Sequence, residues 1–141
     1  MDLDFKSVTT DLLFSGQNGS LERMSRILII DDDINLRTVL GVALEEAGHE
    51  VVLAADGLEG IKKHRAVPMD VIVTDLFMPG QEGLETIKEL RREFPDVKII
   101  AMSGEVSANS MLKVASKFGA DKILQKPFVV VELLKAIKDV L

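Results

Sequence analysis

The chain has no cysteine, no tyrosine and no tryptophan, and only two histidines, His49 and His64. Without thiols there is no disulfide framework, no thiolate metal site and no cysteine nucleophile. Long apolar runs are missing as well: stretches such as Phe128 to Val131 fall far short of the roughly 20 residues that span a bilayer. The first residues lack the basic flank and apolar stretch of a secretory signal, so a cytoplasmic location with no membrane partner is expected. Positive charge is in deficit, with a net charge of -6 and a pI near 4.9. Lys/Arg blocks interleaved with aromatics are absent too. A phosphate backbone would be repelled, and direct nucleic-acid binding is not expected.

What is present suits one globular core. The length of 141 residues, 47% hydrophobic and 28% charged, is that of a single domain rather than a disordered chain. Residues 1–25 differ from the rest: Gly16, Gln17, Asn18, Gly19 and Ser20 form a polar stretch, and Met24, Ser25 and Arg26 lead into an apolar run. They are expected to be a flexible leader or remnant, with the folded domain over 26–141. The alternative is a short amphipathic turn, since Phe5, Val8, Leu12 and Leu13 have roughly helical spacing.

From Arg26 onward, β-type runs alternate with helical patterns. The runs are Ile27 to Ile30, Val51 to Ala54, Val71 to Thr74, Val97 to Met102, and Ile123 to Leu124. Between the first two, Leu36, Leu40, Ala43, Leu44 and Ala47 share one helical face, and Gly48 follows as a helix-ending residue. Weaker helical patterns lie at Leu58 to Ala66, Leu84 to Phe94 and Met111 to Phe118, and Val130, Leu133, Leu134, Ile137 and Leu141 form a closing stripe. The first and third runs are apolar at nearly every position, as when helices cover both faces of a parallel sheet. The expected fold is therefore α/β: a (βα)5, doubly wound, flavodoxin-like parallel sheet of strand order 2-1-3-4-5.

Such sheets bind ligands at the carboxyl ends of their strands. Those ends carry Asp31 and Asp32 after the first strand, Asp75 after the third, Ser103 after the fourth and Lys126 after the fifth. With the first and third strands adjacent, the three carboxylates converge. At about 4 Å each like-charge pair costs roughly 4 kcal/mol at an effective dielectric near 20, so the cluster should shift a pKa or recruit a cation. An oxygen-seeking ion such as Mg²⁺ (or Mn²⁺) fits; zinc does not, given the missing cysteines and the distance of both histidines from these ends. Lys126 supplies a movable ammonium and Ser103 a hydroxyl donor, which together complement a phosphoryl group on a carboxylate. Taken singly, each residue has a plainer role: Asp31 to Asp33 as helix caps, Asp75 as a turn residue, Ser103 as a loop residue and Lys126 as a surface lysine. Those roles do not explain the joint placement.

The motifs ILIIDDD, VTDLFMPG, IAMSG and LQKPF resemble, in that order, those of response-regulator receiver domains of two-component signalling, chemotaxis receivers among them. The resemblance spans about Arg26 to Leu141. It implies Asp75 as phosphoacceptor, Asp32 as a direct metal ligand, Asp31 as a ligand through water and the Phe77 carbonyl as a further ligand. Ser103 and Lys126 would contact phosphoryl oxygens, and the Lys126-Pro127 bond would be cis. The phosphodonor would be a histidine kinase or a histidine phosphotransfer protein, and the domain would catalyse only its own phosphorylation and dephosphorylation. Ser103 and Gly104 would form the switch loop. The family's usual aromatic switch position holds Ile123, which departs from the pattern. With no stretch left over for an output unit, the output is expected from a partner or another domain.

Two alternatives remain open at this level. An aspartate-based phosphohydrolase of the haloacid dehalogenase type would use Asp31 as nucleophile and Asp33 as acid/base, but leaves VTDLFMPG unexplained. An unphosphorylated docking receiver would keep the fold without the chemistry.

Overall fold

The computed structural model describes residues 24–76, 83–104 and 114–141. Apart from Met24 and Ser25, the expected leader lies outside them. Five strands, β1 (Arg26–Ile30), β2 (Glu50–Ala54), β3 (Val71–Asp75), β4 (Lys98–Ser103) and β5 (Lys122–Gln125), form one parallel sheet of order β2-β1-β3-β4-β5. The helices are α1 (Ile34–Glu46), α2 (Gly57–Ala66), α3 (Gly83–Glu93), α4, described over residues 114–118, and α5 (Val130–Val140). The fold and strand order are those the sequence predicts, with strand ends shifted by a residue: Asp75 and Ser103 close β3 and β4 instead of following them.

Alternation along the central strands builds two cores. Leu28, Ile30, Ile72, Ile99 and Ala101 pack with Ile61 of α2, Ile87 and Leu90 of α3 and Ala115 of α4. On the opposite face Ile27, Ile29, Val71, Val73, Ile100 and Met102 pack with Leu40 and Leu44 of α1 and Leu133, Ala136 and Ile137 of α5. Ile27 to Ile30 and Val71 to Val73 have no exposed surface, which is why those strands read as unbroken apolar runs. Each fully buried Ile or Leu contributes about 1.5–3 kcal/mol.

The weak periodicity of α2 has a physical cause. Its buried face is Gly57, Gly60, Ile61 and His64, small where an apolar residue is usual, because a Cβ on Gly60 would run into the Ile30 side chain. Thus α2 lies directly against the end of β1. At the far pole of the sheet, Arg91 closes the end of α3: its guanidinium donates to the carbonyls of Pro95, Val97 and Gly119 and to Asp121 Oδ2. Gly119, at φ 115°, passes close under that side chain, so the positive φ and the lack of a Cβ are both required there.

Candidate functional site at the carboxyl edge of the sheet

Asp31 leaves β1 with its N–H donated to the Ala54 carbonyl at 3.1 Å, the last rung toward β2. The chain then turns into α1, whose N-cap is Asp33: its carboxylate accepts the N–H groups of Asn35 and Leu36. The capping role considered for Asp31 to Asp33 thus falls to Asp33 alone. Capping also occupies the carboxylate that a phosphohydrolase would need as acid/base.

Asp31, Asp32 and Asp75 form one cluster in which a carboxylate oxygen from each lies within 4.8 Å of the others. Asp31 is 1% and Asp75 7% exposed, while Asp32 faces solvent. Lys126 Nζ joins two of them, donating to Asp31 Oδ2 at 2.9 Å and Asp75 Oδ2 at 3.1 Å. Burial works against the charge on Lys126, but hydrogen bonding to Asp31 and the charge of Asp75 outweigh it and raise its pKa above the ordinary lysine value. Three carboxylates against one ammonium leave a formal deficit of two positive charges. An all-oxygen donor set with that deficit fits a hard divalent cation.

Backbone contacts hold the remaining parts in place. Ser103, 3% exposed, accepts the Lys126 N–H on its carbonyl at 2.7 Å, so the hydroxyl and ammonium residues are fixed to one another across β4 and β5. The Lys126-Pro127 bond is cis, as expected. Leu76 N–H bonds to the Met102 carbonyl and Gly83 N–H to the Leu76 carbonyl. A Cβ on Gly83 would collide with the Asp75 carbonyl and the Leu76 backbone, so glycine is what lets α3 start beside the acid. Gly104 is exposed and Ile123 half-buried; Ile123 packs on the core that includes Ala101. Phe77 lies outside the described residues.

Sequence reasoning did not find Gly83, nor a network behind Asp31. Arg37 Nη1 donates to the Asp31 carbonyl at 2.7 Å. Glu59 accepts the Ala55 N–H at 2.7 Å and pairs with Lys63, which also donates to the Leu53 carbonyl. Those bonds from Ala55 and Lys63, with the nearby charge of Arg37, hold the Glu59 carboxyl below its usual range.

A doubly wound sheet with buried acids and a lysine at its carboxyl edge defines a phosphate- or cation-handling α/β domain. The family description "Response regulator receiver domain" matches residues 27–138, and the chain belongs to that family. It is 33% identical over 116 residues to the chemotaxis protein CheY of Listeria monocytogenes, covering 82% of this chain and 97% of that protein. It is 34% identical over 119 residues to the regulatory protein PhoP of Bacillus subtilis, covering 82% of this chain and 48% of PhoP, and so spans about half that relative's length. Among solved structures, CheY4 of Vibrio cholerae is 34% identical with a TM-score of 0.78, over 84% of this chain and 100% of that one. The regulator TrrA of Thermotoga maritima, solved with Mg²⁺ and BeF, is 36% identical with a TM-score of 0.75, over 84% of this chain and 100% of that one. Among the described residues no helix is long and apolar enough to cross a membrane.

Proposed function

We propose that Asp75 accepts a phosphoryl group from the phosphohistidine of a histidine kinase or histidine phosphotransfer protein, beside a Mg²⁺ ion held by Asp31, Asp32, Asp75 and the Phe77 carbonyl. The observation that carries this reading is the cluster of three carboxylates, two of them bonded to a single ammonium. TrrA, a relative solved with Mg²⁺ and a phosphoryl mimic, supports it.

A carboxylate oxygen of Asp75 forms the new P–O bond as the donor's P–N bond breaks, and the electron pair stays on the imidazole nitrogen. The step asks for alignment and charge neutralisation more than covalent chemistry from the protein. When bound, the ion supplies positive charge at the transferring oxygens and relieves the repulsion between carboxylates. Lys126 already contacts Asp75 Oδ2 and pairs with phosphoryl oxygens once that carboxylate becomes an acyl phosphate. The Ser103 hydroxyl donates to another of those oxygens, and Gly104 lets the loop follow it at little steric cost. The readout then passes to Ile123, an aliphatic plug where relatives would swing an aromatic ring. The domain catalyses only its own phosphorylation and dephosphorylation, and its output lies in a partner or another domain.

Incubation with acetyl phosphate tests the reading. Mg²⁺-dependent labelling near one phosphoryl group per chain, lost in Asp75→Asn, is the expected result. Labelling that persists in Asp75→Asn, or that ignores Mg²⁺, overturns it.

A further inference from the structure

We propose that Arg37 is a positioning residue for the cation site, holding the Asp31–Asp33 turn in its ion-binding shape from behind through the Asp31 carbonyl. The inference rests on the reading of the carboxylate cluster as a cation site. It concerns residues that touch neither the ion nor the phosphoryl group.

The Asp31 carbonyl has an unusual position. It lies beyond the last β1–β2 rung, where Asp31 N–H meets the Ala54 carbonyl, and ahead of α1, whose first helical carbonyl is that of Asp33, the acceptor for Arg37 N–H. Among the described residues neither sheet nor helix supplies it with a donor, and a buried carbonyl left without one costs about 1–3 kcal/mol. Arg37, six residues on, reaches back from α1 and supplies it. The bond closes a ring of chain containing both Asp31 and Asp32, while Asp33 is fixed by its cap to Asn35 and Leu36. Asp31 is thereby held at every polar group: N–H to Ala54, carbonyl to Arg37, Oδ1 to the Asp33 N–H and Oδ2 to Lys126. Removing Arg37 frees the peptide that sets where both carboxylates point.

The guanidinium is suited to this in a way an amide is not. Its planar fork offers five donors, so one edge can bond the carbonyl while the charge lies near enough to Glu59 to favour its carboxylate. Glu59 is itself pinned to Ala55 and Lys63, and Lys63 to Leu53. These bonds tie the tip of β2 to α2, and the Arg37 bond ties α1 to the tip of β1. Two effects compete at Arg37: a positive charge behind the turn repels a cation, and its hydrogen bond organises that cation's ligands. Arg37 is partly exposed, so the repulsion is screened by solvent and salt. Losing a residue that orients metal ligands typically costs about 10–100-fold in affinity. Positioning wins, and its sign is opposite to that of the charge.

The test is calorimetric titration with Mg²⁺ alone, with amide chemical shifts of residues 31–33 recorded in parallel, on wild type, Arg37→Gln, Arg37→Lys, Glu59→Gln and the charge control Lys62→Gln. Arg37→Gln should bind Mg²⁺ roughly tenfold more weakly, with the shifts of residues 31–33 altered before any ion is added. Arg37→Lys, which can still donate to the carbonyl, should recover most of the affinity even if the Gln variant is too unstable to titrate. Glu59→Gln should weaken binding by a smaller factor, and Lys62→Gln should leave it unchanged. Equal or tighter binding in Arg37→Gln, or in Arg37→Lys no recovery over Gln, overturns the proposal while leaving the cation site standing. No Mg²⁺ binding by wild type overturns both.

Discussion

Replacing Lys126 with Met removes the ammonium that joins Asp31 and Asp75 and keeps an unbranched side chain of similar reach. Two carboxylates that are 1% and 7% exposed are then left side by side. Repulsion at about 4 Å costs roughly 4 kcal/mol at an effective dielectric near 20, and breaking a buried ion pair by removing one partner typically costs about 3–5 kcal/mol. The Lys126 side chain is 23% exposed, so water reaches the vacated position, and the expected loss is about 2–3 kcal/mol in metal-free buffer at pH 7. Urea unfolding followed by far-ultraviolet circular dichroism suits a chain without tryptophan, and the denaturant slope should be unchanged. Mg²⁺ should return much of the loss, so the ion stabilises the variant by a larger increment than wild type. The pH dependence has a definite sign. The folded pKa of Lys126 is raised above 10.5, so its contribution is fully present below that value and lost as pH rises through the folded pKa. Wild type should show this alkaline loss and the Met variant should not. Equal stability of the two proteins in EDTA, or equal Mg²⁺ increments, would refute the electrostatic account of the site.

Gly83→Ala should lower stability by about 1–3 kcal/mol or more and shift the amide resonances of Asp75 and Leu76, because the new methyl falls on their backbone; a neutral effect would contradict the close start of α3. His64 is 3% exposed, its Nδ1 accepts the Met69 N–H, and burial lowers its pKa from 6.5, against the charge of Glu93. Its contribution is therefore present above pH 6.5 and lost as pH falls through the folded value. His64→Gln should flatten that acid loss, and His49→Gln should flatten it further, since burial lowers His49 as well; an unchanged pH profile in the double variant would count against both. Beryllofluoride with Mg²⁺ should shift the amides of Ser103, Gly104 and Ile123, and these shifts should vanish in Ser103→Ala. Silence at Ile123 in wild type would sink the proposed readout.

Much of this architecture was legible because covered strands leave a strong trace. After Arg26, β1 is apolar to its end, and β3 is apolar up to Thr74, so Asp31, Asp32 and Asp75 stand out as a break in an apolar text and can be brought together by strand order alone. Ser103 and Lys126 were legible for the same reason, one closing β4 and the other following β5. The less visible parts act through backbone. Arg37 recognises a carbonyl that no side-chain pattern marks, and Gly83 matters for the atom it lacks. Asp33 shares its residue type with the two site acids and differs from them only in which way its carboxylate turns. The helical period of α2 is faint because Gly57 and Gly60 stand where packing on Ile30 leaves no room for a side chain.

The central claim, that Asp75 carries the phosphoryl group, is tested most directly by finding the modified residue. The chain is phosphorylated with acetyl phosphate in Mg²⁺, reduced with borohydride so that an acyl phosphate becomes homoserine, and mapped by peptide mass spectrometry. The account predicts homoserine at position 75 and at no other acid. Homoserine at position 31, or none at any position under conditions that label a known receiver domain, would contradict it.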